Sequence, residues 1–310
     1  MPQRTRPGRW RQRYDRRFAR RTPVDHGRLY LSRKGVDMIS LQLDNQDLAK
    51  TYDAISDSQF ENGRRLIEAL AVAPGNVVLD IGCGTGRLAF HVADQVGPTG
   101  RVIGLDPLPE RIALAREKYD HPRISFQTGL AEDLSFLADE SVDIVYLSAV
   151  FHWVPDKERA LAEIRRVLRP GGRIGLTTNA KEFVHATTLR LVTAKVLGRP
   201  PYRDNVDVDH FAPTHFGVTT TELVELFQKA DLTVAQLQVS RTLRRYRSGS
   251  EIVAFAESST FGNYLNHVPE PLRQSARREL AAEFAQLGTP DGIPFQLYSL
   301  LAWAEKEGQA

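Results

Sequence analysis

From Asp44 to Thr178, short and almost wholly apolar runs alternate with stretches whose apolar residues recur every three or four positions. Runs that are apolar on both faces suit strands buried between two layers, and the longer period suits helices that cover them, so the alternation predicts a parallel sheet with helices on both sides. The first strand starts at Val77 behind the turn Ala73-Pro-Gly-Asn76; Arg101 to Asp106, Ile124 to Thr128 and Ser141 to Ser148 follow. Gln46 to Tyr52, Glu61 to Ala71, a stretch from about Arg87, Glu110 to Tyr119 (Ile112, Leu114 and Ala115 on one face) and Ala160 to Leu168 read as helices. After Thr178 the pattern loosens. Glu182 to Leu197 reads as a helix, 198–217 as a loop rich in Pro and His, and Thr221 to Ala230 as a helix behind a Thr-rich cap; Leu232 to Leu243 and Pro294 to Ala304 read as strands. About fifty residues part these last two strands, where a hairpin needs only two to five. In that gap Leu272, Ala276, Leu280, Phe284 and Leu287 recur at helical spacing after Phe255, Phe261 and Tyr264.

The break at the end of the first strand carries chemistry. Val77 to Gly86 reads Val-Val-Leu-Asp-Ile-Gly-Cys-Gly-Thr-Gly, so Gly82, Gly84 and Gly86 stand at every second position. Such glycines let the chain turn tightly and let a ligand rest on bare main chain, and the helix that follows aims free N–H groups at the turn. Asp106 ends the next strand, where an acid can accept both hydroxyls of a ribose. The dinucleotide fingerprint wants its third glycine one position later, where Arg87 stands, so a nicotinamide dinucleotide is disfavoured. Asp80 points the same way: a carboxylate beside the turn repels a pyrophosphate and suits an ammonium or sulfonium group.

With these residues the chain resembles the class I S-adenosylmethionine-dependent methyltransferases, and within them the small-molecule methyltransferases that include the ubiquinone and menaquinone biosynthesis enzymes. The resemblance runs from about Leu48 to Thr178, with Tyr52-Asp53 similar to the family's Tyr-Asp over the methionine end of the cofactor, Ser141 to Ser148 similar to its fourth strand, Ala160 to Leu168 to the next helix and Arg169-Pro-Gly-Gly172 to the turn before the fifth. It implies an α/β fold: a Rossmann-like, mostly parallel seven-stranded sheet with helices on both faces and a C-terminal helical lid insertion. It also implies S-adenosylmethionine as cofactor and a small-molecule methyl acceptor. The expected cofactor contacts are Tyr52, Asp80, the three glycines, Asp106, Pro107 and Leu108 at the adenine, and Ser148. Leu130 replaces an Asp that often accepts from the adenine amino group, so Glu132 is the substitute acceptor, with Asp133 beside it as the alternative and the Ala131 N–H donating to the ring.

The fourth strand ends Ser148-Ala-Val-Phe-His-Trp-Val-Pro155, beyond the carboxyl ends of the strands, where ligands of open α/β sheets lie. His152 is the candidate base or acceptor-orienting donor, with ordinary packing as the competing reading, and Trp153 lines the acceptor pocket. Phe261 and Tyr264 on the insertion are candidate substrate contacts, as are the pairs His210-Phe211 and His215-Phe216, whose aromatics and polar tips suit a small-molecule pocket. Arg241, with Arg244, Arg245, Tyr246 and Arg247 after it, is a candidate clamp for a carboxylate or phosphate by bidentate hydrogen bonds, with a solvated face as the competing reading. Segments 179–220 and 248–292 are expected to cover the substrate side of a single domain over 38–310, with the 271–287 helix as its cap.

Composition narrows the field. One cysteine, Cys83, leaves no disulfide framework and no thiolate metal cluster; no histidine pair has helical metal spacing, so no metal site is expected, and the arsenic methyltransferases, which use several thiols, are disfavoured. Neither a membrane-spanning run nor a secretory signal is present, which fits a reducing cytoplasm. Oligomeric state is not legible. The net charge of +3 divides unevenly, because residues 1–37 hold twelve Lys/Arg against three Asp, a charge of +9 that leaves −6 on the rest. This basic arm reads as disordered, and Met38 directly behind it makes a start at that codon an open alternative. A nucleic-acid methyltransferase would explain the arm through phosphate attraction, but no Asn-Pro-Pro-Tyr-type motif follows strand four and the body is acidic, so a nucleic-acid partner is disfavoured. A protein that binds the cofactor without catalysis is the other rival.

The arm has too few apolar residues to pack a face. Deleting residues 1–37 is expected to leave the melting temperature within about 5 °C of the full chain, measured by thermal unfolding of both forms.

Overall fold

The computed structural model describes residues 40–205 and 217–308. The basic arm and the pairs His210-Phe211 and His215-Phe216 lie outside them. Before the sheet come helices α1 (Gln46–Ile55) and α2 (Asp57–Leu70). Strand and helix then alternate: β1 (Val77–Ile81), α3 (Arg87–Gln95), β2 (Arg101–Asp106), α4 (Pro109–Lys118), β3 (Ile124–Thr128), β4 (Val142–Ser148), α5 (Lys157–Val167) and β5 (Leu168–Asn179). Helices α6 (Thr188–Leu197) and α7 (Thr220–Lys229), strand β6 (Thr233–Tyr246), helices α8 (Gly249–Ser259) and α9 (Glu270–Ala285) and strand β7 (Ile293–Glu305) complete the chain.

One sheet joins the seven strands in the order β3-β2-β1-β4-β5-β7-β6, parallel from β1 to β5 and antiparallel at β7 and β6. Every residue of β1 is buried, as its continuous apolar run demands. The chain moves outward from β1 to β2 and β3, then returns to the other side of β1 with β4. At such a reversal the connections leave in opposite directions, and a crevice opens beyond the carboxyl ends of β1 and β4. The expected turn Arg169–Gly172 is a looped-out stretch within β5, whose pairing with β4 jumps from Leu168 to Arg173. Thr187 splits the helix expected over 182–197 by capping α6, its hydroxyl accepting the Arg190 N–H.

The last two strands are longer than the alternation suggests. They pair from Thr233↔Glu305 to Tyr246↔Ile293, whereas β5 pairs with β7 only from Arg173 to Asn179. The far part of this hairpin therefore overhangs the crevice, and it carries α8 and α9. These helices and α6 have a core of their own, built from Val192, Val196, Ile252, Ala256, Ala276, Leu280, Phe284 and Phe295. Polar ties bind its two segments: Thr193 and Tyr264 share a hydroxyl hydrogen bond of 2.8 Å, Tyr202 donates to Glu279 over 2.6 Å, and Lys195 pairs with Glu283. The two insertions thus make one packed cap.

The apolar stripe of α9 is this cap's core and not a wall of the substrate chamber. Ala276, Leu280 and Phe284 are fully buried in it, Leu272 packs at its edge, and Leu287 lies past the helix end, exposed. Phe284→Ala is expected to destabilise the protein by about 3–5 kcal/mol through cavity formation, and Tyr264→Phe by about 1 kcal/mol through loss of one hydrogen bond. Urea unfolding of the two variants checks both values.

Candidate active site

The three glycines after β1 differ in what demands them, although all have positive φ. A Cβ on Gly82 would stand 2.2 Å from a methyl of Val150, and one on Gly86 2.7 Å from the Phe126 ring. Those two let the loop pack against its neighbours. A Cβ on Gly84, which lines the crevice, would meet no atom within 4 Å beyond its chain neighbours, so nothing in the protein's packing demands this glycine. Gly86 begins α3 without a side-chain cap, which leaves the helix's first N–H groups unanswered by any side chain there.

Asp106 fastens this loop. Its Oδ2 accepts the Gly84 N–H and its Oδ1 the Leu108 N–H, both over 2.9 Å. Each oxygen keeps a further lone pair toward the crevice. Burial raises the carboxyl's pKa, while the Arg111 guanidinium and the two N–H donors hold it down. Asp80 has no such support. It is 2% exposed, its Oδ2 lacks a hydrogen-bond partner, and burial, with Asp106 adding repulsion, pushes its pKa up to about 8. The Tyr146 hydroxyl pulls the other way but leaves Oδ2 unsatisfied. A buried carboxyl in this state keeps its proton at neutral pH until a cation arrives.

Arg111 joins the crevice to what covers it. Its Nε and Nη2 donate to the two oxygens of Asp44, each over 3.1 Å, and Nη2 also donates to the Ser258 carbonyl at the end of α8. Both side chains of the pair are nearly sealed from solvent. The guanidinium lies 4.8 Å from the Tyr52 ring centre and 4.9 Å from that of Phe261, close enough for cation–π attraction. The segment before α1, α1 itself, α4 and the cap therefore meet on one side chain. Asp53 adds a second tie, accepting the Thr85 hydroxyl over 2.6 Å and pairing with Lys118.

Beyond β4 the chain turns sharply. Ala149 adopts φ +58°, and its N–H donates to the Thr177 carbonyl and hydroxyl of β5. A non-glycine residue in this region is strained and is found where the surroundings enforce it. The turn seats Val150 on Gly82 and turns His152 inward, where Nδ1 shares a 2.8 Å hydrogen bond with the Thr178 hydroxyl. Burial, helped by the Lys157 charge, lowers the His152 pKa to about 3, so the imidazole is neutral at physiological pH. Trp153 tilts against both His152 and Phe261, with ring centres 5.1 and 4.8 Å away. Phe261 itself takes φ +56°.

These elements enclose a cavity of about 250 Å³. Of the residues singled out in the sequence, Tyr52, Asp80, Gly82, Gly84, Asp106, Pro107, Leu108, Ser148, His152, Trp153 and Phe261 line it. Five do not. Gly86 packs on Phe126; Ala131 is buried in the main core; the Glu132 carboxylate turns to the start of α5, where it accepts the Asp156 N–H. Tyr264 is wholly inside the cap, and Arg241 is exposed on β6. Arg111, Thr177, Thr178, Phe255, Phe295 and Leu297 line the cavity without having been singled out as contacts, and Arg244, one of the arginine run, lines it where Arg241 does not. Arg244 was visible only as one of a run; strand alternation separates it from Arg241, since three positions change the face.

Removing Arg111 leaves two buried carboxylates without their cation. Arg111→Met is expected to destabilise the protein by about 3–5 kcal/mol, and the double variant with Asp44→Leu by less, because the second change removes an uncompensated buried charge. Urea unfolding of the single and double variants measures the difference.

Among the described residues no helix is long and apolar enough to cross a membrane, and no group of three His, Cys, Asp or Glu side chains is placed to hold a metal. Comparison with known proteins agrees with the geometry. Residues 79–176 match a methyltransferase domain family. An arsenite methyltransferase of Halobacterium salinarum is 44% identical over 110 residues, covering 34% of this chain and 28% of that protein. A demethylmenaquinone methyltransferase of Lactobacillus johnsonii is 38% identical over 122 residues, covering 37% and 50%. The chain thus spans half or less of the length of these two relatives. The YcgJ protein from Bacillus subtilis shares the fold at a TM-score of 0.54 and 21% identity, over 80% of this chain and 99% of that one. The glycine turn with its two acids, the sheet order and these matches identify residues 79–176 as a methyltransferase domain of the class I S-adenosylmethionine-dependent kind, with S-adenosylmethionine as the cofactor.

Proposed function

We propose that the chain transfers a methyl group from S-adenosylmethionine to a small-molecule acceptor inside the capped cavity. The observation that carries this reading is the continuity of the cavity: one space reaches from Gly84 and Asp106 past His152 and Trp153 to Phe255, Phe295 and Leu297 of the cap. A cofactor end and an acceptor end thus meet at the carboxyl end of β4. The chain's own features fit the cofactor, since Gly84 borders open space in the cavity and the orphaned Asp80 Oδ2 lacks a cation.

When bound, S-adenosylmethionine supplies a methyl group on a positively charged sulfur, open to in-line displacement. The protein's share is to bind, align and exclude water. Asp106 holds the ribose hydroxyls with its free lone pairs, Pro107 and Leu108 offer an apolar face to the adenine, and Asp80, Tyr52 and Gly82 receive the methionine end. Ser148 stands at the junction, sharing a weak 3.4 Å contact with the Thr177 hydroxyl. His152, oriented by Thr178, directs the acceptor by hydrogen bonding. Its low pKa makes it a poor reservoir for protons near pH 7, so it positions the acceptor in one protonation state across the physiological range. Arsenite is not carried over as a substrate, because the one cysteine, Cys83, is buried with its pKa raised and has no second thiol to work with.

Calorimetry is expected to show micromolar binding of S-adenosylmethionine and its demethylated product and none of NAD; tighter binding of NAD would overturn the assignment. Asp106→Ala is expected to weaken the cofactor by about 2–4 kcal/mol, as buried N–H and hydroxyl groups lose a charged partner. His152→Asn is expected to keep cofactor affinity within about twofold and lower kcat about tenfold or more. In the parent, kcat is expected to show no step near pH 6.5 from this imidazole, because its folded pKa lies about three units lower.

A further inference from the structure

Arg244 differs from the other two arginines that line the cavity, Arg87 and Arg111: Arg87 pairs with Asp57 over 2.6 Å. Arg111 is matched by a bidentate Asp44. Among the described residues Arg244 has no ion pair; its Nη1 donates to the Tyr246 hydroxyl over 3.2 Å, and its Nε is buried without a partner. It stands on the overhanging part of β6, opposite Phe295 of β7, on the strand face it shares with the buried Tyr246. The Phe255 ring lies 5.1 Å from its guanidinium carbon. An aromatic ring therefore stands beside the group, while its buried Nε has no acceptor among the described residues.

Leaving a half-buried guanidinium with an unmet donor is unfavourable unless a ligand supplies the acceptor. We propose that the acceptor carries a carboxylate and that Arg244 is the residue that recognises it; this rests on the methyl-transfer reading above. A planar guanidinium edge matches the two oxygens of a carboxylate. The walls around it, Leu189, Phe255, Phe295 and Leu297, are apolar, so the rest of the acceptor is an apolar or aromatic body. With Arg87 paired to Asp57 and Arg111 to Asp44, Arg244 is, among the described residues, the lining cation without a carboxylate partner, and one such charge in a cavity that also holds Asp80 and Asp106 favours a monoanion over a phosphate dianion. The cofactor brings a carboxylate too, and the Arg244 charge reaches Tyr52; Arg244 nevertheless stands on the cap wall with Phe255 and Phe295, and the cofactor affinity of an Arg244 variant separates the two carboxylates.

The test uses the full chain saturated with demethylated cofactor and titrates benzoate and hexanoate, their uncharged counterparts benzamide and hexanamide, and inorganic phosphate. The expected result is that the parent binds each acid at least about tenfold more tightly than its amide or phosphate, a preference of about 1.4 kcal/mol or more. Arg244→Gln should abolish the preference and Arg244→Lys keep part of it, with melting temperature and cofactor affinity of both variants close to the parent's. Acids that bind no better than amides, or not at all, overturn the proposal, as does a preference for phosphate. A tenfold loss of cofactor affinity in Arg244→Gln with the acid preference intact also overturns it, by assigning Arg244 to the cofactor's own carboxylate. Failure of the parent to bind demethylated cofactor is read in the first step and strikes the methyl-transfer reading instead.

Discussion

Three carboxyl groups, those of Asp44, Asp80 and Asp106, are buried at one end of the sheet around a single guanidinium, that of Arg111. Buried charge is tolerated only where it is paired or neutralised, and the rest of the site follows from how this imbalance is met. Asp44 takes Arg111 directly. Asp106 feels Arg111 at longer range and is supported by the Gly84 and Leu108 N–H groups. Asp80 is left over, and its raised pKa of about 8 keeps it neutral at pH 7 while no cation stands against it. The same guanidinium holds Tyr52, Phe261 and the end of α8 in place, so one charge supports both the acids of the cavity and the residues that cover it.

The cap is a second consequence of geometry. A sheet of this order has its crevice open to solvent beyond β1 and β4, and methyl transfer from a sulfonium requires water to be kept out. The overhang of β6 and β7 places α8 across that opening, with α6 and α9 packed against it as an independent core. Those helices spend most of their apolar faces on each other, lending the chamber only Leu189 and Phe255 from them, and strands and turns supply Phe261, Phe295, Leu297 and Arg244 to its cap side.

How far the sequence reveals this depends on how local each cause is. The glycine turn and Asp106 were legible because tight backbone turns and a strand-end acid are dictated by a few neighbouring residues. Strands β1, β2 and β4 could be placed to within a few residues because buried strands announce themselves by continuous apolarity, whereas β6, exposed along much of its length, was read from alternation and ended three residues short. Tyr264 was misplaced because an aromatic residue in a long insertion reads alike whether it faces a ligand or a core, and only its contact with Thr193, seventy-one positions away, decides. Glu132 was drawn off by the start of α5. Arg111 was invisible for another reason: on an amphipathic helix a charged residue is read as solvent-facing, although it sits one turn before the buried Ala115, and its partner Asp44 lies sixty-seven residues earlier.

The central claim is that Asp80 waits as a neutral acid for the cofactor's positive charge. Calorimetric binding of S-adenosylmethionine at pH 7, repeated in buffers of different ionisation enthalpy, counts the protons exchanged. A carboxyl whose pKa falls from about 8 on binding a cation must release its proton, so the parent is predicted to release close to one proton more than Asp80→Asn. Equal proton exchange in the two proteins would contradict the account.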